Sequence, residues 1–173
     1  MRALEFWKTV TVDKANLLER LIALLNEHGI RYCVIGGQAV NAYVEPLVSL
    51  DLDLVVATEQ LSQLEVFLKS AFRVERFEHS LNVTLQGSDL RVQFQTDPRY
   101  ADFLSRASMR NVLGFDMPVA GLEDVLRGKV WAAQDPARRG SKRQKDLADI
   151  ARIIEAEPHL KISVPQDILL KLE

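Results

Sequence analysis

The stretch VIGGQAVNAYVEPLVSLDLDLVV, residues 34–56, decides how this chain is read. It opens on the end of a short apolar run, Tyr32-Cys33-Val34-Ile35, which predicts a buried strand. Gly36-Gly37 breaks that strand, and a helix follows to about Val44, ended by Glu45-Pro46. Residues 49–56 then alternate through Leu54, predicting a strand with one apolar and one acidic face. On that strand Asp51 and Asp53 leave the same face, roughly 6–7 Å apart. Two carboxylates on one face repel unless a positive group sits between them, and Mg²⁺, with its preference for carboxylates, water and phosphates, meets that need. Glycine after a strand lets the backbone approach a ligand closely, and the helix N-terminus behind it offers N–H groups to a phosphate. Taken alone, Asp-x-Asp also describes a solvated strand face, and Gly-Gly an ordinary strand-to-helix turn. The spacing puts both motifs at neighbouring strand ends.

Outward from this stretch, apolar residues at helical spacing predict a helix over about 13–28, from Ala15 to Leu25, stopped by Gly29. Thr58 is placed to cap a helix to about Ser70. Residues 72–77, 81–86 and 90–95 predict antiparallel strands, with a turn at Gly87-Ser88-Asp89. After Asp97-Pro98 the chain turns helical to about Ala107, and residues 112–119 are ambiguous, with a short strand pair around Gly114 as one reading. Helices follow over 122–133 and from a capping box, Ser141-x-x-Gln144, to about Ala156, where Pro158 stops the run. A last short helix lies within 165–172. The order predicts an α+β fold with the mixed sheet first. A soft boundary near residue 120 divides a core, 1–120, from a C-terminal helical segment, 121–173.

The 34–56 pattern resembles the polymerase-beta-like nucleotidyltransferase superfamily: a buried strand, Gly-Gly or Gly-Ser, about ten residues, then Asp-x-Asp. Within it the chain resembles the AbiEii/AbiGii toxin-like bacterial branch, through Gly36-Gly37-x-Ala39 and Ser49 two positions before Asp51. Lys129 on one helix and Lys145-Asp146-x-x-Asp149 on the next extend the likeness over roughly residues 30–155. The resemblance implies a nucleotidyltransferase-fold mixed sheet flanked by helices. It further implies that an NMP moves from a nucleoside triphosphate to a hydroxyl of a tRNA-like RNA, a protein or a small molecule. Asp51 and Asp53 would hold Mg²⁺ or Mn²⁺; Gly36, Gly37, Ser49 and Lys129 would bind the nucleotide. Asp146 would act as general base or orient Lys129. A toxin role opposite an antitoxin protein belongs to the same resemblance. One departure matters: the third carboxylate of many members is missing, since the matching strand, 90–95, has Arg91 and Gln93 in its place. One metal ion is therefore expected rather than two. The competing reading is a catalytically weakened protein of this fold that binds nucleotide, RNA or a partner.

The rest of the sequence narrows the classes. The chain has 173 residues, 47% hydrophobic and 27% charged, with a net charge of −2, which is ordinary for a globular domain. Its basic character is local: Arg138, Arg139, Lys142, Arg143 and Lys145 form a block that suits triphosphate, an RNA backbone, or a solvated turn between helices. The single cysteine, Cys33, permits no intramolecular disulfide and reads as a small core residue. No two of the three histidines have metal-ligand spacing, so zinc is not expected; His28 reads as a helix-end residue, and Trp7 and Trp131 as packing groups. No apolar run is long enough for a signal peptide or a membrane span, so a cytoplasmic protein without membrane partners is expected.

Overall fold

In a computed structural model, which describes Asp13 and residues 16–173, a seven-stranded mixed sheet is covered by helices. The chain runs α1 (Leu17–Glu27), β1 (Tyr32–Ile35), α2 (Gly36–Tyr43), β2 (Asp51–Val56), α3 (Leu61–Ala71), β3 (Arg73–Phe77), β4 (Ser80–Thr84), β5 (Arg91–Gln95), a 3₁₀ segment (Pro98–Arg106), β6 (Ser108–Val112), β7 (Phe115–Val119), α4 (Leu122–Gln134), α5 (Gly140–Ala156), a second 3₁₀ segment (Pro158–Ser163) and α6 (Gln166–Leu169). The strand order is β3-β4-β5-β2-β1-β7-β6, with β2–β5 and β1–β7 parallel and the other neighbours antiparallel. This is the expected α+β architecture with a C-terminal helical segment.

The core follows from the alternation read in the sequence. Leu52, Leu54, Val83, Val92 and Phe94 are buried on one face of the sheet, and Leu17, Leu18, Leu21, Leu25, Leu64 and Leu68 supply the helical side. At about 25 cal/mol per Å² of apolar surface, each such side chain contributes roughly 1.5–3 kcal/mol. On the other face Asp51, Asp53 and Gln93 remain outside that core.

Several local expectations are corrected. The capping box at Ser141 does not form: α5 begins a residue earlier, at Gly140, and no side chain caps it. Thr58 opens a 3₁₀ turn, Thr58–Gln60, and α3 starts only at Leu61, also without a side-chain cap. The helical stretch after Asp97-Pro98 is 3₁₀, with the Asp97 side chain accepting from the Arg99 N–H. The strand pair around Gly114 exists but starts at Ser108, because Leu113 and Gly114 (φ 53° and 91°) make a two-residue hairpin turn. The first helix starts at Leu17, whose N–H is taken by Asp13. Trp7 and Ala15 lie outside the described residues.

Candidate active site

The glycine turn and the acidic strand meet because β1 and β2 pair antiparallel with Ile35 opposite Asp53. That register sets the Asp53 carboxylate against the first residue of α2. Gly36 has φ +68°, a conformation that side chains rarely adopt, and a Cβ there would overlap Asp53 Oδ2. Glycine is thus required twice over at this position. The N-terminus of α2 carries no side-chain cap, which leaves its first backbone N–H groups open beside Asp53.

The two aspartates have different surroundings. Asp51 accepts from Arg91 Nε (2.8 Å) and Lys142 Nζ (3.0 Å). Burial pushes its carboxyl upward, but these two cations together outweigh that and hold it below the usual carboxylate range. Asp53 is half-buried, and among the described residues no hydrogen bond or ion pair reaches its carboxylate. Burial raises its pKa to about 6, with Lys129 pulling it down and Asp51 pushing it up. A carboxylate left without a donor beside a second carboxylate is a donor set that a single divalent cation would satisfy. Gln93, opposite Asp53 on β5, adds an amide but no charge. Among the described residues no group of three or more His, Cys, Asp or Glu side chains is arranged to hold a metal ion.

Behind Asp53 the two C-terminal helices supply a cation held by anions. Lys129 on α4 is buried and pairs with Asp146 Oδ1 (3.1 Å) and Asp149 Oδ2 (2.8 Å) on α5. Burial lowers its pKa, and Asp149 and Asp146 more than reverse this, so the ammonium stays charged. With two of its three N–H donors used, one remains for another acceptor. Asp146, only 1% exposed, is also gripped by Arg138 through Nε (2.8 Å) and Nη2 (3.1 Å). Asp149 is shared with Arg152, whose other nitrogen holds Asn41 Oδ1 and the Glu45 carbonyl. This ties α5 to the end of α2. Lys145 and Asp149 are four residues apart on α5, a helical pairing distance, yet Asp149 turns its two oxygens to Lys129 on α4 and to Arg152 instead.

Gly36, Asp53, Gln93, Lys129, Arg138 and Asp146 all line one small cavity, about 90 Å³, between sheet and helices. Asp51, Asp53, Gln93, Arg91, Arg138 and Lys142 line a second, larger trough of about 320 Å³ over β3–β5. Asp53 and Arg138 therefore stand at the junction of the two. Gly37 lies nearer Asp149 than Asp53. Ser49 Oγ accepts the Asp51 N–H (3.2 Å), so its hydroxyl caps the entry to β2. Arg138 and Arg152 were not assigned to the site from the sequence. Arg138 was hidden in a block that reads as surface, and its position before α5 gives no helical register from which its contact with Asp146 follows. Arg152 falls three residues after Asp149, a helical pairing distance, and that was the available signal.

No protein-family profile and no curated protein matches the sequence. Solved structures do resemble the fold. The lincosamide antibiotic adenylyltransferase LnuA, bound to lincomycin, matches with a TM-score of 0.55 at 11% identity, over 83% of this chain and 99% of the other. The antibiotic-resistance factor ANT(2'')-Ia matches with a TM-score of 0.54 at 13% identity, over 85% and 90%. An antigenic nucleotidyltransferase-like protein from Paracoccidioides brasiliensis matches with a TM-score of 0.54 at 20% identity, over 84% and 78%. The chain has the fold of these nucleotidyltransferases.

Proposed function

Starting from a nucleotidyltransferase fold, we propose that this protein transfers a nucleoside monophosphate from a nucleoside triphosphate to a hydroxyl group, with one Mg²⁺ held by Asp51 and Asp53. The observation that carries this reading is the Asp53 carboxylate: half-buried, without a donor, and pressed against Gly36 at the open N-terminus of α2. The α2 N–H groups and the remaining N–H of Lys129 would take phosphate oxygens. Arg138, facing both cavities, adds positive charge where the α-phosphate would sit. The metal would supply charge neutralisation and alignment of the phosphates. The acceptor oxygen attacks the α-phosphorus, the bond from that phosphorus to the bridging oxygen breaks, pyrophosphate leaves with the electron pair, and the acceptor proton passes to water.

Within this reading Asp146 is a positioning residue. Its two oxygens are occupied by Lys129 and Arg138, and its burial keeps it from an acceptor hydroxyl. Ser49 shapes the start of β2 and contributes its hydroxyl proton at most. Because Arg91 and Lys142 already neutralise Asp51, metal binding requires at least one of them to release it. That same observation favours the second reading, a nucleotide-binding protein that has lost turnover. Transfer of labelled NMP to acceptors, with Asp53→Ala alongside, separates the two. Catalysis predicts label and pyrophosphate from the wild type and a loss of at least 100-fold in the variant. Nucleotide binding without pyrophosphate release favours the binding protein, and equal transfer by both proteins contradicts the mechanism.

A further inference from the structure

The trough over β3–β5 is not a by-product of the sheet edge. Cross-strand pairing aligns Glu75 with Asn82, Asn82 with Gln93, and Gln93 with Asp53, so that one polar row crosses four strands and ends at the proposed reaction centre. Directly opposed residues share a face, so these side chains project into the same space. Thr84 and Arg91 belong to the same wall. In this row Asn82 Oδ1 is buried and has no hydrogen-bond partner. A buried acceptor without a donor is unfavourable, and a donor-bearing ligand would relieve it. Glu75, at the far end, is engaged among the described residues by an exposed ion pair with Arg73, of a kind that yields readily to another donor.

We infer that this trough is the acceptor subsite, and that the acceptor is a small, donor-rich polyhydroxylated molecule of sugar size, uncharged or carrying an amine. The inference rests on the nucleotidyl-transfer reading. Size and charge both point away from a polynucleotide. The volume, about 320 Å³, is at the lower end of small-molecule sites. The lining has three carboxylates, Asp51, Asp53 and Glu75, against three cations, Arg91, Arg138 and Lys142, so it offers no surplus positive charge to a phosphate backbone. The neighbouring basic block is largely committed to the protein itself. Arg138 holds Asp146, Lys142 holds Asp51, and Arg143 holds the carbonyls of Asp135 and Arg138. Such a ligand would give a hydroxyl or amine proton to Asn82 Oδ1 and another to Glu75, with a hydroxyl facing Asp53.

The test begins with calorimetry of the full chain with Mg²⁺ and each nucleoside triphosphate, which reports the nucleotide site alone. Absence of binding there overturns the reading on which this inference rests, and the inference with it. With binding in hand, labelled triphosphate is offered with a panel of monosaccharides, amino sugars, aminoglycosides and total tRNA, and adducts are identified by mass. Label on a small polyol or amino sugar is expected. Asn82→Leu and the surface variant Glu75→Gln should each raise the acceptor KM about tenfold and leave the nucleotide Kd unchanged. Label on tRNA alone, no label on any small acceptor while nucleotide binds, or an acceptor KM that neither variant moves would each overturn the assignment.

Discussion

Asp53 carries the largest electrostatic penalty resolved in the site. Its pKa of about 6 in the folded protein lies above the roughly 3.9 of an unfolded aspartate. Between those values the folded state binds more protons, so stability falls as pH rises through about 4 to 6 and the full penalty is present at neutral pH. Asp53→Asn, which keeps the shape and removes the charge, should stabilise the protein at pH 7 by about 1–3 kcal/mol and lose that advantage near pH 4. Urea unfolding at the two pH values checks this, and equal stability of the two proteins at pH 7 would contradict the environment described for Asp53. At this scale the sequence was partly legible. Gly36 could be read as a turn glycine, but its closeness to Asp53 depends on the β1–β2 register, which no local pattern specifies. The unpaired state of Asp53 and the double clamp on Asp51 depend on Arg91 and Lys142, 40 and 91 residues away.

At the scale of elements, α4 and α5 are joined through buried charge rather than only through apolar contact. Lys129, Arg138, Asp146, Asp149 and Arg152 form one connected network that also reaches α2. Removing one member leaves its partners charged in a poorly solvated place, a loss of about 3–5 kcal/mol in buried pairs. Asp146→Asn should therefore destabilise the protein by about 2–4 kcal/mol, raise the nucleotide KM through a misplaced Lys129, and leave the pH profile of kcat unchanged. Denaturation and steady-state kinetics read this, and a kcat whose pH dependence loses an ionisation would restore Asp146 as a general base. The helices were visible from their apolar spacing: on α5 that spacing is Leu147, Ile150, Ala151 and Ile154, of which Leu147 and Ile150 are buried together with Ile153 while Ala151 and Ile154 are partly exposed. Their ends were not. The expected capping side chains at Thr58 and Ser141 lost to a 3₁₀ turn and to an earlier start at Gly140.

At the scale of the whole molecule, Cys33 lies on β1, inside the sheet, and is fully buried between β2 and β7. Burial, then the charge of Asp124, pushes its thiol to about 12. Thiolate chemistry at neutral pH must wait for the sheet to open, so modification should report global unfolding. A thiol reagent should label the native protein orders of magnitude more slowly than the protein in urea; comparable rates would mean that β1 opens locally. Placing both ends of the sheet was beyond the sequence, because the parallel pairs β2–β5 and β1–β7 join segments separated by other elements, and alternation shows a strand's faces but not its neighbours. Among the described residues no helix is long and apolar enough to cross a membrane.

The central claim is that Asp51 and Asp53 hold one divalent cation against a triphosphate bound at Gly36. Crystals grown with a non-hydrolysable nucleoside triphosphate and Mn²⁺, read by anomalous scattering, test it most directly. The account predicts a single metal peak bonded to carboxylate oxygens of both Asp51 and Asp53, phosphates against the N-terminus of α2 and Lys129, and Lys142 or Arg91 withdrawn from Asp51. A nucleotide bound elsewhere, or one bound here with both cations still on Asp51 and no metal, would contradict it.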